Sequence, residues 1–160
     1  MRVVEFSEQQ LRNALGRFAT GVTVVTTMSG DGPLGITANS FASVSLAPPL
    51  VLWSPARRSL RFPAFEAASH FAIHVLGLHQ QSLADRFARA GDDFDGLDFL
   101  PGHGGAPLLE ACAARFECRH AAGYDGGDHL IVVGEVLGLV EQDTPSLLYH
   151  RGAYTGLGGA

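Results

Sequence analysis

Small polar side chains are concentrated in one stretch, residues 34–55, which reads LGITANSFASVSLAPPLVLWSP. Its two ends are apolar, and the hydroxyl and amide residues between them are Thr37, Asn39, Ser40, Ser43 and Ser45. Because no long side chain shields the backbone, N–H groups and short polar side chains can approach a flat ligand that forms hydrogen bonds. The stretch is therefore a candidate binding surface. The alternative is a polar edge strand followed by a bend, in which the hydroxyls serve only local turns.

Two further groups of residues suit the binding of a cofactor. Arg57, Arg58 and Ser59 precede a predicted helix, whose free N–H groups and dipole favour an anion such as a phosphate. Residues 126–129, Gly-Gly-Asp-His, combine a turn that lets the backbone approach a ligand with a histidine that can donate a hydrogen bond near neutral pH. The alternatives are a solvated arginine cluster and a hairpin turn that faces water.

Spacing and composition argue against several other functions. The 7 histidines show no HExxH or paired Cys/His spacing, so no metal site is predicted. There is no Gly-x-Ser-x-Gly nucleophile motif, and no GxGxxG follows a strand. A net charge of -5 with only 11 Lys and Arg argues against nucleic-acid binding. No apolar run approaches the roughly 18 residues of a membrane span.

Cys112 and Cys118 are the only cysteines, and they bear on the compartment. They would form a disulfide only in an oxidising environment. The first residues, MRVVEFSEQQ, show no basic segment followed by an apolar one, as a secretory signal would. We therefore expect reduced thiols and a cytoplasmic protein.

The pattern along the chain predicts many strands and a few short helices. Ser7 and Gln10 have the spacing of a capping box, and Leu11, Leu15 and Phe18 have helical spacing. Helices are predicted at 7–18, 59–68 and 79–90. Strands are predicted at 21–28, 50–53, 71–76 and 129–140, and further strands begin at 34 and at 114. The tail from 147 has a less regular strand pattern. Turns are predicted at 29–33 and 123–127, and residues 91–107 read as a long surface loop that could serve as a lid.

This order of elements indicates a fold class. At 160 residues, without an internal repeat or a Gly/Ser linker, the chain is predicted to be a single domain, 1–160. Strands without βαβ alternation favour an antiparallel β-barrel with a few helices over a Rossmann sheet.

The central segment T-A-N-S-F-x-S-V-S-L-x-P-P-L-V resembles the flavin-binding segment of the flavin reductase family, the reductase components of two-component flavin-dependent monooxygenases. Three other segments resemble that family in the same order along the chain. They are GRFATGVTVVT at 16–26, FEC with GDH and GEV between 116 and 136, and LLYHRGAY at 147–154. An ordered set of four segments is far more specific than any one short motif.

The resemblance implies a split antiparallel β-barrel that dimerises and an NAD(P)H:flavin oxidoreductase that supplies reduced flavin to a monooxygenase. Its cofactor would be FMN or FAD and its co-substrate NADH or NADPH, which would dock over the flavin. Hydride transfer is carried by the cofactors, so no catalytic side chain is expected. The implied cofactor-binding residues are Thr37, Ala38, Asn39, Ser40, Ser54, Pro55, Arg58, Ser59, Phe87 and Tyr154, and the nicotinamide-binding residues are Gly127, Asp128 and His129.

Two departures from the family pattern affect the details. His74 stands where an asparagine is usual, and Leu60 and Arg61 follow Ser59 where a second hydroxyl residue is common. The second departure bears on how a phosphate would be held. The alternative function is a flavin-binding protein of the same barrel that stores or senses flavin without turnover; such a protein would ignore NADH.

Overall fold

The computed structural model describes residues 5–159, of which almost half lie in antiparallel strands. The first four residues, on which the expectation about a signal partly rests, and the last residue of the predicted domain lie outside this range. The helices are α1 (Glu8–Leu15), α2 (Phe62–Ala67) and α3 (Gln81–Arg89). The strands, β1 to β12 in order, are Thr20–Gly21, Thr23–Ser29, Gly32–Ala38, Ala42–Leu46, Pro49–Trp53, His70–Val75, Phe99–Pro101, Pro107–Leu109, Ala114–Gly126, His129–Glu141, Leu148–His150 and Ala153–Thr155.

Seven of these strands form one sheet in the order β3-β2-β6-β9-β10-β5-β4. The edge strands β3 and β4 are joined by residues 39–41 only. In a flat sheet, six strand spacings of about 4.8 Å would separate these edges by roughly 29 Å, whereas four extended residue steps span at most about 14 Å. The sheet must therefore roll up until its edges meet, which confirms the predicted split barrel.

The barrel interior is filled by one apolar core. Leu34 and Ile36 of β3, and Phe41 just before β4, pack against it; its buried members include Val25, Trp53, Phe71, Ile73, Cys118 and Val132. Helix α2 covers part of this core with Phe65, whose ring lies edge-on to Trp53 at 5.1 Å between centroids. A second apolar cluster lies between the barrel and α3 and contains Ala84 and Phe87.

The predicted helices are confirmed, with shorter bounds. The Ser7 side chain accepts a hydrogen bond from the Gln10 N–H at 3.1 Å and the Gln10 side chain accepts one from the Ser7 N–H at 2.8 Å, so the capping box is present. Helix α1 nevertheless ends before Gly16, and the predicted 17–18 extension is a turn. In α2, Pro63 lies in the first turn, where no intrahelical hydrogen bond is lost.

Residues 91–98 form a loop, as predicted, whereas residues 99–107 contain β7, a short turn of 3-10 helix and the start of β8. That the segment serves as a lid stays a prediction. Phe94 is buried, and its ring lies 4.9 Å from that of Phe87 and 5.3 Å from that of Phe99. Strands β7 and β8 then pair within and just beyond the segment. The apolar residues scattered among the aspartates hold the segment against α3, so it is packed structure.

The hairpin turn predicted at 123–127 lies slightly later in the chain. Strand β9 continues to Gly126, and only Gly127 and Asp128 connect it to β10. Gly127 has φ +74°, a backbone conformation that a residue without Cβ adopts at little cost.

His74, which departs from the family pattern, lies on strand β6 and not at the surface. This side chain is completely buried on β6, with Nδ1 2.9 Å from the Val24 carbonyl oxygen and Nε2 3.0 Å from the Leu109 N–H. The carbonyl can only accept and the N–H can only donate, so Nδ1 carries the proton and the ring is neutral. Burial lowers the pKa of His74 to about 4 despite the Val24 hydrogen bond.

The two cysteines are free and buried, in agreement with the expected reduced thiols. Burial raises the pKa of Cys112 to about 11 and that of Cys118 to about 12, so both are unreactive thiols. Within residues 5–159, none of the helices has the length and apolar character to cross a bilayer. The same residues bring no three His, Cys, Asp or Glu side chains into a metal-binding group.

Candidate active site

Four of the predicted cofactor-binding residues line one cavity of about 230 Å³ at the end of strand β3. They are Thr37, Ala38, Asn39 and Tyr154. The remaining lining residues are Val22, Ala88 and Tyr149. The structure thus brings the central polar segment and the aromatic tail together, although more than 100 residues separate them in the sequence.

Backbone hydrogen bonds fix the β3 side of this cavity. The Thr37 hydroxyl donates to the Ala84 carbonyl oxygen of α3 at 2.6 Å, and the Thr23 hydroxyl donates to the Ala38 carbonyl oxygen at 2.6 Å. Asn39 follows directly after β3 and is exposed; within residues 5–159 its amide has no hydrogen-bond partner. Its donors and acceptor therefore remain available to a ligand.

The opposite side of the cavity is aromatic. Strands β11 and β12 pair Tyr149 with Tyr154, and the two rings pack edge to face with centroids 5.5 Å apart. Burial raises the pKa of Tyr154, with smaller contributions from the charges of Asp85 and Tyr149. The Tyr154 phenol therefore stays protonated at neutral pH. An aromatic side face with polar backbone opposite suits a planar heterocycle.

A second group of predicted residues follows β5 and is connected to the cavity through Ser40. The Ser40 hydroxyl oxygen accepts a hydrogen bond from the Ser54 N–H at 2.9 Å. Pro55 is buried, and its carbonyl oxygen accepts from the Leu130 N–H at 3.1 Å. Arg58 is exposed and Ser59 is half-buried. The predicted phosphate-binding residues thus lie on a surface loop, 54–59, whose start is held to the cavity.

The same loop contacts the tip of the β9–β10 hairpin, where the predicted nicotinamide residues lie. Ala56 forms a β-bridge with His129, and the Arg57 N–H donates to the Asp128 carbonyl oxygen at 2.9 Å. The sequence grouped Arg57 with Arg58 and Ser59 as candidates for binding an anion, but nothing in it indicated that Arg57 contacts the hairpin.

Asp128 and His129 form an exposed pair at the hairpin tip. His129 Nδ1 lies 2.7 Å from Asp128 Oδ1. This hydrogen bond lowers the pKa of Asp128, and the charge of Arg58 contributes in the same direction. Because an ionised carboxylate can only accept, Nδ1 of His129 carries the proton and Nε2 is free to face a ligand. The pair therefore presents one oriented imidazole nitrogen.

The residues at the site offer the polar and aromatic groups that a flavin needs, but the cavity is too small to enclose a whole flavin. The cavity offers the free Asn39 amide, β3 backbone and two tyrosine rings, and the 54–59 loop offers an exposed arginine for a phosphate. Its volume of about 230 Å³ is below the ~300–1,000 Å³ of pockets that enclose a drug-sized ligand. A cavity of this size is large enough to enclose only part of a flavin ring system.

Phe87 is the predicted cofactor-binding residue that the structure removes from the site. Its side chain is 0% exposed, packs against Phe94, and leaves no space for a Cβ at Gly35, where such an atom would lie 2.7 Å from the Phe87 ring. A side chain without accessible surface cannot contact a ligand in this conformation. Its neighbour Ala88 lines the cavity instead.

A larger cavity, of about 440 Å³, lies along other residues of α3 and contains none of the predicted site residues. It is lined by both signs of charge, including Arg86, Arg89, Asp93, Asp98 and Glu110. Arg86 is already committed to Asp93 and to the carbonyl oxygen of Asp95. The smaller cavity combines the available amide, the aromatic rings and the adjoining cationic loop, so it is the candidate site.

Comparison with known proteins identifies the family of the chain. Residues 15–158 match the family described as "Flavin reductase like domain". The FMN reductase (NADH) SmoA of Agrobacterium fabrum is 55% identical over 148 residues, which cover 92% of this chain and 85% of that protein. The reductase subunit HsaB of a flavin-dependent monooxygenase from Mycobacterium tuberculosis is 40% identical over 157 residues, covering 96% and 84%.

The fold of this chain is also similar to that of a solved structure. The NADH:FAD oxidoreductase SgcE6 of Streptomyces globisporus C-1027, determined in complex with NAD and FAD fragments, aligns with a TM-score of 0.90 at 38% identity. The alignment covers 99% of this chain and 98% of that one. Because the family match spans all but the two ends of the sequence, and relatives align over most of their own lengths, the protein belongs to the flavin reductase family.

Proposed function

We propose that this protein is an NAD(P)H:flavin oxidoreductase that reduces FMN or FAD. The observation that carries the proposal is the continuity of the site: the cavity with Asn39 and Tyr154 leads through the Ser40–Ser54 hydrogen bond to the 54–59 loop and the hairpin tip. A bound flavin would supply the hydride-accepting chemistry, with the nicotinamide as hydride donor. The protein supplies binding, orientation and exclusion of water.

The flavin ring and ribityl chain are assigned to residues 37–40. The Asn39 amide donates to and accepts from the ring edge, while Thr37 and Ala38 present the strand backbone. The Ser40 hydroxyl oxygen already accepts a hydrogen bond from the Ser54 N–H, so its main role is to hold the start of the 54–59 loop. It can form a further hydrogen bond to the flavin. Ser54, Pro55, Arg58 and Ser59 surround the phosphate, and Arg58 supplies the positive charge.

The nicotinamide is assigned to Gly127, Asp128 and His129. Gly127 lets the backbone turn tightly, and Asp128 fixes the tautomer and orientation of the His129 ring through the 2.7 Å hydrogen bond. The free Nε2 then meets the carboxamide or a phosphate of the dinucleotide. Both roles are ones of binding and positioning, so no side chain needs to accept or deliver a proton during the transfer.

The reduced flavin is proposed to serve a flavin-dependent monooxygenase. This role is that of the HsaB relative, which is the reductase subunit of such an enzyme. Reduced flavin can diffuse to an oxygenase, so the proposal needs no lasting complex between the two proteins. Two free buried thiols fit a reducing compartment, and we propose the cytoplasm.

A homodimer is proposed because helix α1 displays an apolar face that nothing in residues 5–159 covers. None of its residues is buried; Leu11 and Leu15 are 44% and 63% exposed, and Phe18 just beyond it is 78% exposed. An amphipathic helix gains stability mainly by burying its apolar face. A second copy of the chain would cover this face and add to the shallow cavity. Sedimentation at micromolar concentration should give a dimer, and Leu15→Asp should shift it toward monomer; a monomeric wild-type protein would contradict the proposal.

The test of the function is the oxidation of NADH and NADPH at fixed enzyme with FMN, FAD or riboflavin, followed at 340 nm. Flavin-dependent oxidation with at least one pair, well above the rate without enzyme, is expected. If no pair is turned over, the proposal is wrong. Flavin retained through dialysis together with indifference to both dinucleotides would identify the storage protein instead.

A further inference from the structure

Arg57 lies between the two halves of the proposed site and contacts both. We infer that it is a positioning residue, which holds the hairpin tip carrying Gly127, Asp128 and His129 against the loop that binds the flavin phosphate. The inference rests on the proposed function. It assigns to Arg57 the task of coupling nicotinamide binding to the flavin side, without contact to either substrate.

The hydrogen bonds of Arg57 all run to the hairpin. Its Nε donates to the Gly127 carbonyl oxygen at 3.1 Å, its Nη2 donates to Asp125 Oδ1 at 2.8 Å, and its backbone N–H donates to the Asp128 carbonyl oxygen at 2.9 Å. The guanidinium carbon also lies 5.8 Å from the centre of the Phe62 ring, at the start of α2. Through its side chain and its backbone N–H together, Arg57 therefore connects α2 and the loop to residues 125, 127 and 128 of the hairpin.

The hairpin tip has little else to hold it. Residues 123–128 of the tip are exposed, and the Asp125 and Asp128 side chains are 81% and 93% exposed. Apolar burial therefore does not fix this tip, unlike the strands below it. Besides the β9–β10 pairing, its position relative to the loop depends on the bonds of Arg57 and the neighbouring backbone contacts.

The geometry also explains why Arg57 differs from Arg58. The planar fork of Arg57 donates through Nε and Nη2 at once, which a lysine ammonium on a flexible stem does not reproduce in the same geometry. Arg58 is exposed and influences Asp128 only through its charge, so it stays available to a phosphate. Loosening the tip should weaken dinucleotide binding, because NAD(P)H would then have to order the tip on binding.

The experiment compares Arg57→Gln with Arg119→Gln in the folded full-length protein. Arg119 is the matched control, since it makes an exposed ion pair with Glu135 at 2.6 Å across the same two strands but away from the tip. For Arg57→Gln we expect the KM for NADH to rise about three- to tenfold, with kcat and the flavin Kd within about twofold of wild type. Arg57→Lys should lie between, and Arg119→Gln should match wild type in all three.

Other outcomes overturn the inference. A raised flavin Kd in Arg57→Gln with an unchanged KM would make Arg57 a direct phosphate ligand, and wild-type kinetics would leave it without a role. If Arg57→Gln does not fold, Asp125→Asn, which removes only the carboxylate partner, must raise the KM for NADH by itself. Wild-type protein inactive with every flavin and dinucleotide pair would reject the proposed function, whereas an active wild type with a normal Arg57→Gln rejects only this inference.

Discussion

The flavin cavity and the hairpin tip are held in place by different forces. The cavity lies on the end of β3 and on α3, directly above side chains that are fully buried, such as Val24 and Phe87. The tip extends into solvent and is held to the loop by backbone bonds and one exposed arginine. Burial keeps the first region rigid, whereas the second has few apolar contacts and can open at little cost.

This difference suits the order of the proposed reaction. A flat ring needs one well-defined surface, which a packed strand and helix provide. A dinucleotide that must arrive, react and leave at each turnover is better served by a segment that adjusts. Mutations beneath the cavity should therefore affect folding first, whereas mutations at the tip should affect kinetics while the fold remains intact.

The largest expected effect is that of Phe87→Ala, beneath the cavity. Deleting a fully buried phenylalanine typically costs about 3–5 kcal/mol, through lost apolar burial and the cavity left behind. Denaturant unfolding should show this loss, whereas Leu60→Ala, at a side chain that is 99% exposed, should stay within about 0.5 kcal/mol. Wild-type stability combined with weakened flavin binding would return Phe87 to the set of ligand contacts.

The next effect concerns His74, whose two ring nitrogens join β6 to β2 and to β8. Its folded-state pKa of about 4 is below the ordinary value of 6.5, so the unfolded chain binds the additional proton between these pH values. Stability is therefore complete above pH 6.5 and falls as the pH drops toward 4, by about 3 kcal/mol from this group.

The His74→Asn variant tests this pH dependence. Asparagine retains a donor and an acceptor but does not titrate, so the unfolding free energy should lose much of its slope between pH 4 and 6.5. His79→Asn, the same change at an exposed histidine, is the control and should keep the wild-type slope. Equal slopes for wild type and His74→Asn would mean that His74 is not held neutral.

A smaller effect is expected for Asn39→Leu, at the rim of the cavity. One lost hydrogen bond to the ligand is worth about 0.5–1.5 kcal/mol, which corresponds to roughly a two- to tenfold weaker flavin Kd. Because Asn39 is exposed, the unfolding free energy should hardly change. Flavin titration measures the Kd, with Gln142→Leu as an exposed amide control away from the cavity. Unchanged affinity would show that Asn39 does not face the flavin.

The smallest effect on the fold is expected for His129→Ala, at the tip. The KM for NADH should rise about two- to fivefold, with the flavin Kd unchanged, because one hydrogen bond to the dinucleotide is lost. Steady-state kinetics with the folded variant measure this, and a fall in kcat instead would place the interaction in the transition state. Unchanged kinetics with a slight loss of stability would mean that the Gly-Asp-His segment serves only as a hairpin turn and does not bind the dinucleotide.

The features that could be predicted from the sequence are those that depend on residues close together in the chain. The capping box of α1, the position of Pro63 and the strand content follow from neighbours within a few residues, and these predictions are confirmed. The pattern predicted the helix at 79–90 that contains Phe87, but it could not show that other elements bury Phe87 completely. The same limit applies to Phe94. It packs against Phe87 and Phe99, but the sequence around it shows no helical or strand spacing that would have predicted this.

The sequence by itself determined the class of ligand, because four ordered segments supply the small polar, cationic and Gly-Asp-His residues in the pattern of flavin reductases. Only the tertiary structure decided which residues work together. It rolled the sheet so that Ser40 meets Ser54, brought Tyr154 to Asn39, and aimed Arg57 rather than Arg58 at the hairpin. The physical reason is that residue types and spacing encode local conformation and chemistry, whereas the direction of a side chain between distant strands depends on the packing of the whole barrel.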